Sequence, residues 1–152
     1  MSIKPLSIDA DSFVKMLEFL EASFGSAGDS MIFQMGRAAG ISEGLKVLNE
    51  VPEGEHTKRE LMENALARVT ATGLAEVHLE AFDLEAGDVK VRYHDSVFKP
   101  LCLRVDLPQC YWMRGFLTGI VSEVAGVTLA FRESECYASG DADCSISLKR
   151  QA

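Results

Sequence analysis

Residues 110–144 read CYWMRGFLTGIVSEVAGVTLAFRESECYASGDADC. The first half predicts a helix from about Pro108 to Val124. Proline suits a first helical position, where its missing N–H leaves no bond unmade, and Gly115 and Gly119 fall four residues apart on one face. The second half changes period. Val127, Leu129 and Phe131 alternate as in a strand, Ser139-Gly140-Asp141 turns the chain, and Cys144, Ile146 and Leu148 alternate along a second strand.

The same grammar extends upstream. Ala75, Val77, Leu79 and Ala81 alternate with Glu76, His78 and Glu80; Glu85-Ala86-Gly87-Asp88 is a hairpin turn; Val89, Val91 and Tyr93 then alternate with Lys90, Arg92 and His94. This is an antiparallel pair with one wet face. Residues 95–107 connect it to the helix. Before the hairpin the period is helical. Phe13, Met16, Leu17, Leu20 and Phe24 form one stripe over residues 9–26, and Gly25-Ser26-Ala27-Gly28 reads as a break. A second helix is predicted from about Ser30 to Leu48. Thr57-Lys58-Arg59-Glu60 is a capping box that opens a third, with Leu61, Ala65, Leu66 and Val69 as its buried face and Gly73 after its end. Helices, hairpin, helix, hairpin is the order of an α+β fold: a four-stranded antiparallel sheet packed with about four helices. One domain over residues 1–152 is expected, residues 1–28 forming its N-terminal helix.

Gly36, Gly40 and Gly44 recur every four residues in the second helix. Each costs about 1 kcal/mol in a helix interior, so close approach by another backbone is expected. That neighbour is a helix of this chain, a second subunit or a bound ligand.

The 152 residues carry a net charge of −8. Binding to nucleic acid or an anionic membrane needs a basic surface, so both are excluded as main partners. No apolar run approaches the ~20 residues of a membrane span. The N-terminal Met1-Ser2-Ile3-Lys4-Pro5 lacks the apolar core of a secretory signal, so the chain reads as cytoplasmic. Thiols stay reduced there, and four cysteines point to metal binding or packing instead of disulfides.

Cys110, Cys136 and Cys144, with Glu133, supply three soft thiolates and a carboxylate, the donor set of a closed tetrahedral zinc site. Glu133 is three residues before Cys136, so in a regular strand the two face opposite ways. Co-ligation requires a bulge around Ser134-Glu135. Glu135, Asp141, Asp143 or water are alternative fourth ligands, and the cysteines also fit as small buried apolar residues.

The segment from Cys110 through Gly115 and Gly119 to Glu133-Ser134-Glu135-Cys136 and Gly140-Asp141-Ala142-Asp143-Cys144 resembles the 4-vinyl reductase domain family. Tyr93-His94-Asp95-Ser96 is similar to its strand-end motif, and Met35-Gly36-Arg37-Ala38-Ala39-Gly40 to its glycine helix. The resemblance implies the fold shared with small subunits of vesicle-tethering (TRAPP) complexes. It implies a structural zinc on Cys110, Glu133, Cys136 and Cys144, with Cys102 outside the set. It also implies a site for a small hydrophobic or aromatic molecule between helices and sheet, as in the sensor domains of phenol- and xylene-responsive activators. Val91, Tyr93, Phe116, Ile120 and Phe131 are the candidate lining, with Met35, Met31 and the glycine face closing it. Phenol sensors of the family hold the ligand hydroxyl with a histidine. The matching position falls around Val69, and His56 and His78 are out of register, so a ligand more apolar than phenol is expected.

The leading expectation is a sensor or carrier for such a ligand, acting as a homodimer or through a protein partner. The alternatives are a tetrapyrrole vinyl reductase or its accessory, and an assembly adaptor of the vesicle-tethering type. Catalysis is disfavoured. There is no dinucleotide-binding glycine fingerprint and no nucleophile–base pair, and a four-ligand zinc has no open position.

Overall fold

The computed structural model describes residues 4–99, 110–136, 140–141 and 143–150. Pro108, Cys102 and most of the stretch that joins the first hairpin to the glycine helix lie outside the described residues. Helix α1 spans Ala10–Phe24, α2 Ser26–Glu50, α3 Lys58–Ala71 and α4 Tyr111–Ala125; the strands are β1 Glu76–Asp83, β2 Asp88–His94, β3 Leu129–Glu135 and β4 Cys144–Arg150. The four strands form one antiparallel sheet in the order β1-β2-β4-β3. The α+β expectation holds in architecture and topology.

Local chemistry sets the helix ends. Asp9 caps α1 by accepting from the Ser12 N–H at 2.8 Å. The capping box of α3 closes both ways: the Glu60 N–H donates to Thr57 Oγ1 at 3.2 Å, and the Thr57 N–H donates to Glu60 Oε2 at 2.7 Å. The α3 N-terminus also serves α4, since Lys58 Nζ donates to the Ala125 carbonyl at 3.0 Å. A cation at the last carbonyls of a helix is favourable with respect to its dipole.

Gly25 does separate α1 from α2, with φ +56, but the break is one residue long. The expected start near Ser30 is corrected to Ser26, and Gly28 lies within the helix. A Cβ on Gly28 would collide with the Leu20 carbonyl, so this glycine lets α1 fold back closely on α2.

The stripe Gly36-Gly40-Gly44 meets α4 of the same chain. A Cβ on Gly36 would strike the Trp112 carbonyl, and one on Gly40 the Phe116 carbonyl. The relation is reciprocal: a Cβ on Gly115 would strike the Phe33 carbonyl, and one on Gly119 the Arg37 carbonyl. The two helices therefore pack backbone to backbone, which is the offset for the low helix propensity of five glycines. The glycine face is thereby covered, which corrects the expectation that it closes a ligand site.

One sheet face is apolar and covered by helices. Val89, Val91, Tyr93, Ile146 and Leu148 are each 0 % exposed there, with Met113, Leu117, Ile120 and Val121 of α4 and Met62 and Leu66 of α3 in the same core. The other face carries Glu76, His78, Glu80, Lys90, Arg92 and Lys149. A register shift at Glu80 alters the β1 alternation. Ala81 was expected inside; it is exposed, and Phe82 packs on the core instead, because one extra residue reverses the parity of those that follow.

The α1 stripe is also corrected. Val14 and Leu17 are buried and Phe13 and Leu20 pack at the edge, whereas Met16 and Phe24 are exposed. Among the described residues no helix is long and apolar enough to cross a membrane.

Candidate functional site

Three cysteines converge from two elements and one strand end. Cys110 is the N-cap residue of α4. Its carbonyl accepts from the Arg114 N–H at 2.9 Å, the first bond of the helix. A thiol at this position lies in the field of the helix N-terminus, which favours the thiolate. Cys136 follows the last residue of β3, and Cys144 opens β4 opposite Tyr93. All three are buried. Their sulfurs lie within 4.8 Å of one another, with Cys110 Sγ and Cys136 Sγ 3.5 Å apart.

Tetrahedral zinc with Zn–S bonds of about 2.3 Å requires sulfurs roughly 3.8 Å apart. The three thiols fit that demand with sub-ångström adjustment, and they could hold a metal ion. The turn between Cys136 and Cys144 is braced independently. The Cys136 N–H donates to Asp141 Oδ2 at 3.0 Å, and the Asp141 N–H donates to the Cys136 carbonyl at 3.3 Å.

Asp141 is thus committed to shaping the turn. Glu135 is exposed and pairs with Lys90 on the outer sheet face at 3.6 Å. Neither is placed as a fourth donor. The side chains of Glu133 and Phe131 lie outside the described residues. Along the backbone, Glu133 stands opposite Ser147, and the register irregularity falls between Phe131 and Glu133. It therefore sits upstream of the bulge expected around Ser134-Glu135. Cys136 lies past the strand end, where strict alternation no longer applies.

Of the candidate ligand-site residues, Val91, Tyr93 and Ile120 are each 0 % exposed and Phe116 is 6 % exposed, all within one core. Met35 is 42 % exposed and Met31 44 %, so both present much of their surface to solvent. An aromatic cluster extends from Phe116. Trp112 stacks on it at a ring-centroid distance of 4.7 Å, and Phe13 and Phe98 pack on Trp112 at 5.3 and 5.4 Å. Sequence reasoning passed over Phe13, Phe98 and Trp112 as site residues. The available signal was that Trp112 lies four residues before Phe116, hence one helical turn away.

A cleft of about 230 Å³ between α2 and α3 is lined by Ala39, Ser42, Glu43, Arg68, Val69, Thr72 and Phe116. It brings Val69, the position matched to the phenol-binding histidine, together with the aromatic Phe116. His56 and His78 are at the surface. A larger cleft of about 430 Å³ near the starts of α2 and α4 includes Asp29, Tyr111 and Arg114. Burial, then the nearby Asp29 charge, raises the Tyr111 phenol above its ordinary value.

Together these define a helix-backed antiparallel-sheet domain whose last hairpin and last helix meet at a buried three-thiol cluster. Residues 89–150 match the model of the 4-vinyl reductase domain, the family whose motifs the sequence carries, and this part of the chain belongs to that family. The fold extends the similarity to nearly all of the chain. The phenol-responsive sensory domain of the transcription activator PoxR, solved with phenol, superposes with a TM-score of 0.84 at 19% identity, over 97% of this chain and 77% of that one. A trafficking protein particle complex subunit 3 from Naegleria fowleri, covalently bound to palmitic acid, gives 0.63 at 14% identity over 94% and 93%. An H-NOX protein from S. oneidensis in the Fe(II)NO state gives 0.65 at 10% identity over 100% and 81%. No curated protein matches the chain by sequence.

Proposed function

We propose that this chain, as a single domain of the 4-vinyl reductase type, binds a small hydrophobic or aromatic molecule between its helices and its sheet, as a sensor or carrier. The observation that carries this reading is the apolar, aromatic lining of that layer. Tyr93, Val91 and Ile120 are fully buried, and Phe116 reaches from them to the α2–α3 cleft and to Trp112. Two neighbours in fold support it, one solved with phenol and the other with covalently bound palmitic acid. With Val69 in place of a hydrogen-bond donor, the preferred ligand is an aromatic hydrocarbon or acyl chain instead of a phenol, because nothing apolar there compensates a buried hydroxyl. The packed interior makes binding a population shift: ligand selects a conformer in which Phe116 and its neighbours have parted.

Zinc would act as a clasp on Cys110, Cys136 and Cys144, with Glu133 as fourth ligand. A closed site of this kind supplies stability to the final hairpin and leaves no coordination position for chemistry. Elemental analysis should give about one zinc per chain, and a fully stable metal-free protein would sink the assignment. Met16, Phe19 and Phe24 on α1, with Met31 and Met35 on α2, are exposed. This apolar surface supports a homodimer in which a second copy covers it, and Phe19→Asp should then shift the protein to monomer in sedimentation.

The chain's one tryptophan, Trp112, reports on the site. Titration with toluene, naphthalene, phenol and palmitate should change its emission for the apolar compounds, with phenol weakest, and Phe116→Ala should weaken the best binder at least tenfold. Saturable reductase turnover of a vinyl tetrapyrrole would favour the enzyme reading. A stable heteromeric complex with no small-molecule response would favour the adaptor.

A further inference from the structure

On the outer face of the sheet, at the end of the first hairpin farthest from its turn, two histidines and a glutamate meet. Glu76 of β1 pairs in register with His94 of β2, and His78 is the diagonal neighbour two residues along. The rings of His78 and His94 stack at a centroid distance of 5.6 Å, inclined by 20°. His94 Nε2 lies 3.2 Å from Glu76 Oε2, and one ligand atom from each of the three residues falls within 4.8 Å of the others. His94 Nδ1 is in turn 3.1 Å from Asp95 Oδ2. Asp95 has φ +52, the one positive value outside glycine among the described residues, and that turn sets its carboxylate beside the ring that precedes it. The cluster is separate in character from the buried thiols: Glu76 and His78 are exposed and His94 is half-buried.

We propose that Glu76, His78 and His94 form a second metal site, for a first-row divalent transition-metal cation, with Asp95 as the residue that orients His94. Three observations argue for it beyond the proximity of the groups. The donor set, two imidazoles and one carboxylate, suits zinc, cobalt or nickel, and three protein ligands leave a position open to water or an outside ligand. Ligands on a tetrahedral zinc at about 2.0–2.1 Å stand roughly 3.4 Å apart. The His94–Glu76 pair already has that spacing, so only the exposed His78 side chain must move. Asp95 accepting from Nδ1–H leaves the Nε2 lone pair directed at Glu76, the carboxylate–histidine–metal arrangement that fixes the tautomer of a ligating imidazole. Arg92 is the opposing charge, standing in register with His78; it is exposed and its long stem can swing clear. The glycine helices and the apolar interior have no part in this site, so it stands or falls independently of the ligand-binding reading.

The chain's three histidines make the test direct. With the thiol cluster first saturated by one equivalent of zinc, a second equivalent is added while the imidazole C–H signals are followed by NMR. The signals of His78 and His94 should shift together and saturably, while that of His56 stays fixed. Isothermal titration of the same second equivalent should lose at least tenfold in affinity in His78→Asn and in Glu76→Gln, and roughly tenfold in Asp95→Asn, the usual effect of removing an orienting partner. Equal shifts of all three histidines, no shift at all, or an affinity unchanged in the double variant His78→Asn/His94→Asn would each overturn the assignment.

Discussion

The backbone contact between α2 and α4 makes Gly40→Ala a demanding test of the fold. In an ordinary helix this change stabilises by about 1 kcal/mol, because alanine is the better helix former. Here the added Cβ would be driven into the Phe116 carbonyl, with the Ile120 nitrogen 3.0 Å away on the other side. Both walls are main chain of α4 and cannot rotate aside. Relief requires the helices to part by about an ångström, which forfeits a quarter to a half of the attraction of each neighbouring atom pair. Overpacking of this kind costs at most about 3 kcal/mol in typical cores, and a rigid two-walled contact belongs at that end. The net effect is about 2 kcal/mol of destabilisation, or a Tm lowered by roughly 4–8 °C for a chain of this length. Gly44→Ala is the internal comparison. Its Cβ would meet the Glu123 side chain at 2.8 Å and the Ile120 carbonyl at 3.2 Å, a shallower intrusion with the same propensity gain. It should be much milder. Thermal and urea denaturation followed by circular dichroism read both. A Gly40→Ala protein as stable as wild type, or a Gly44→Ala protein that is the worse of the two, would refute the account.

Other consequences follow from named contacts. Cys136→Ser should lose the metal and loosen the β3–β4 hairpin, seen as faster amide exchange there, whereas Cys102→Ser should retain a full equivalent of zinc. Thr57→Ala removes the oxygen that accepts from the Glu60 N–H and should cost about 1 kcal/mol in urea denaturation. The Glu60 carboxyl is held below its ordinary value, chiefly by the Thr57 N–H and then by the Thr57 hydroxyl, with His56 a smaller contributor. A depressed folded-state pKa means stability present above the ordinary value of 4.5 and lost as pH falls through the lower, folded-state value. The deficit of Glu60→Ala relative to wild type should therefore be seen at pH 6 and shrink as the pH is taken well below 4.5; a deficit that does not shrink would refute the charged capping bond.

Much of the architecture was legible in order along the chain. Val89, Val91 and Tyr93, and again Cys144, Ile146 and Leu148, alternate strictly and all are buried. Thr57 and Glu60 announced a helix start that the structure closes at both bonds. The misreadings share a cause. Gly25-Ser26-Ala27-Gly28 looks like a break over four residues because local propensity cannot see that α1 lies against Gly28. Ala81 and Phe82 exchanged faces because nothing in the alternation marks the extra residue at Glu80. Met16 and Phe24 are apolar on a helical stripe, yet the stripe is broader than the groove that receives it.

By itself the sequence determined the elements that depend on near neighbours: the periods of helices and strands, the α3 cap, the turn glycines, and a set of thiols suited to a metal. It also restricted the glycine stripe to a close backbone contact without saying with what. Only the tertiary structure decided that contact, together with the strand order β1-β2-β4-β3 that puts Cys144 beside Tyr93 and gathers thiols 26 residues apart to 3.5 Å. It also brought Glu76, His78 and His94 together on a face where the sequence showed only alternating polar residues. The physical reason is the same in each case. Alternation and capping are fixed by bonds between residues a few positions apart, whereas bringing distant residues together costs chain entropy and is repaid only by the packing of the whole core.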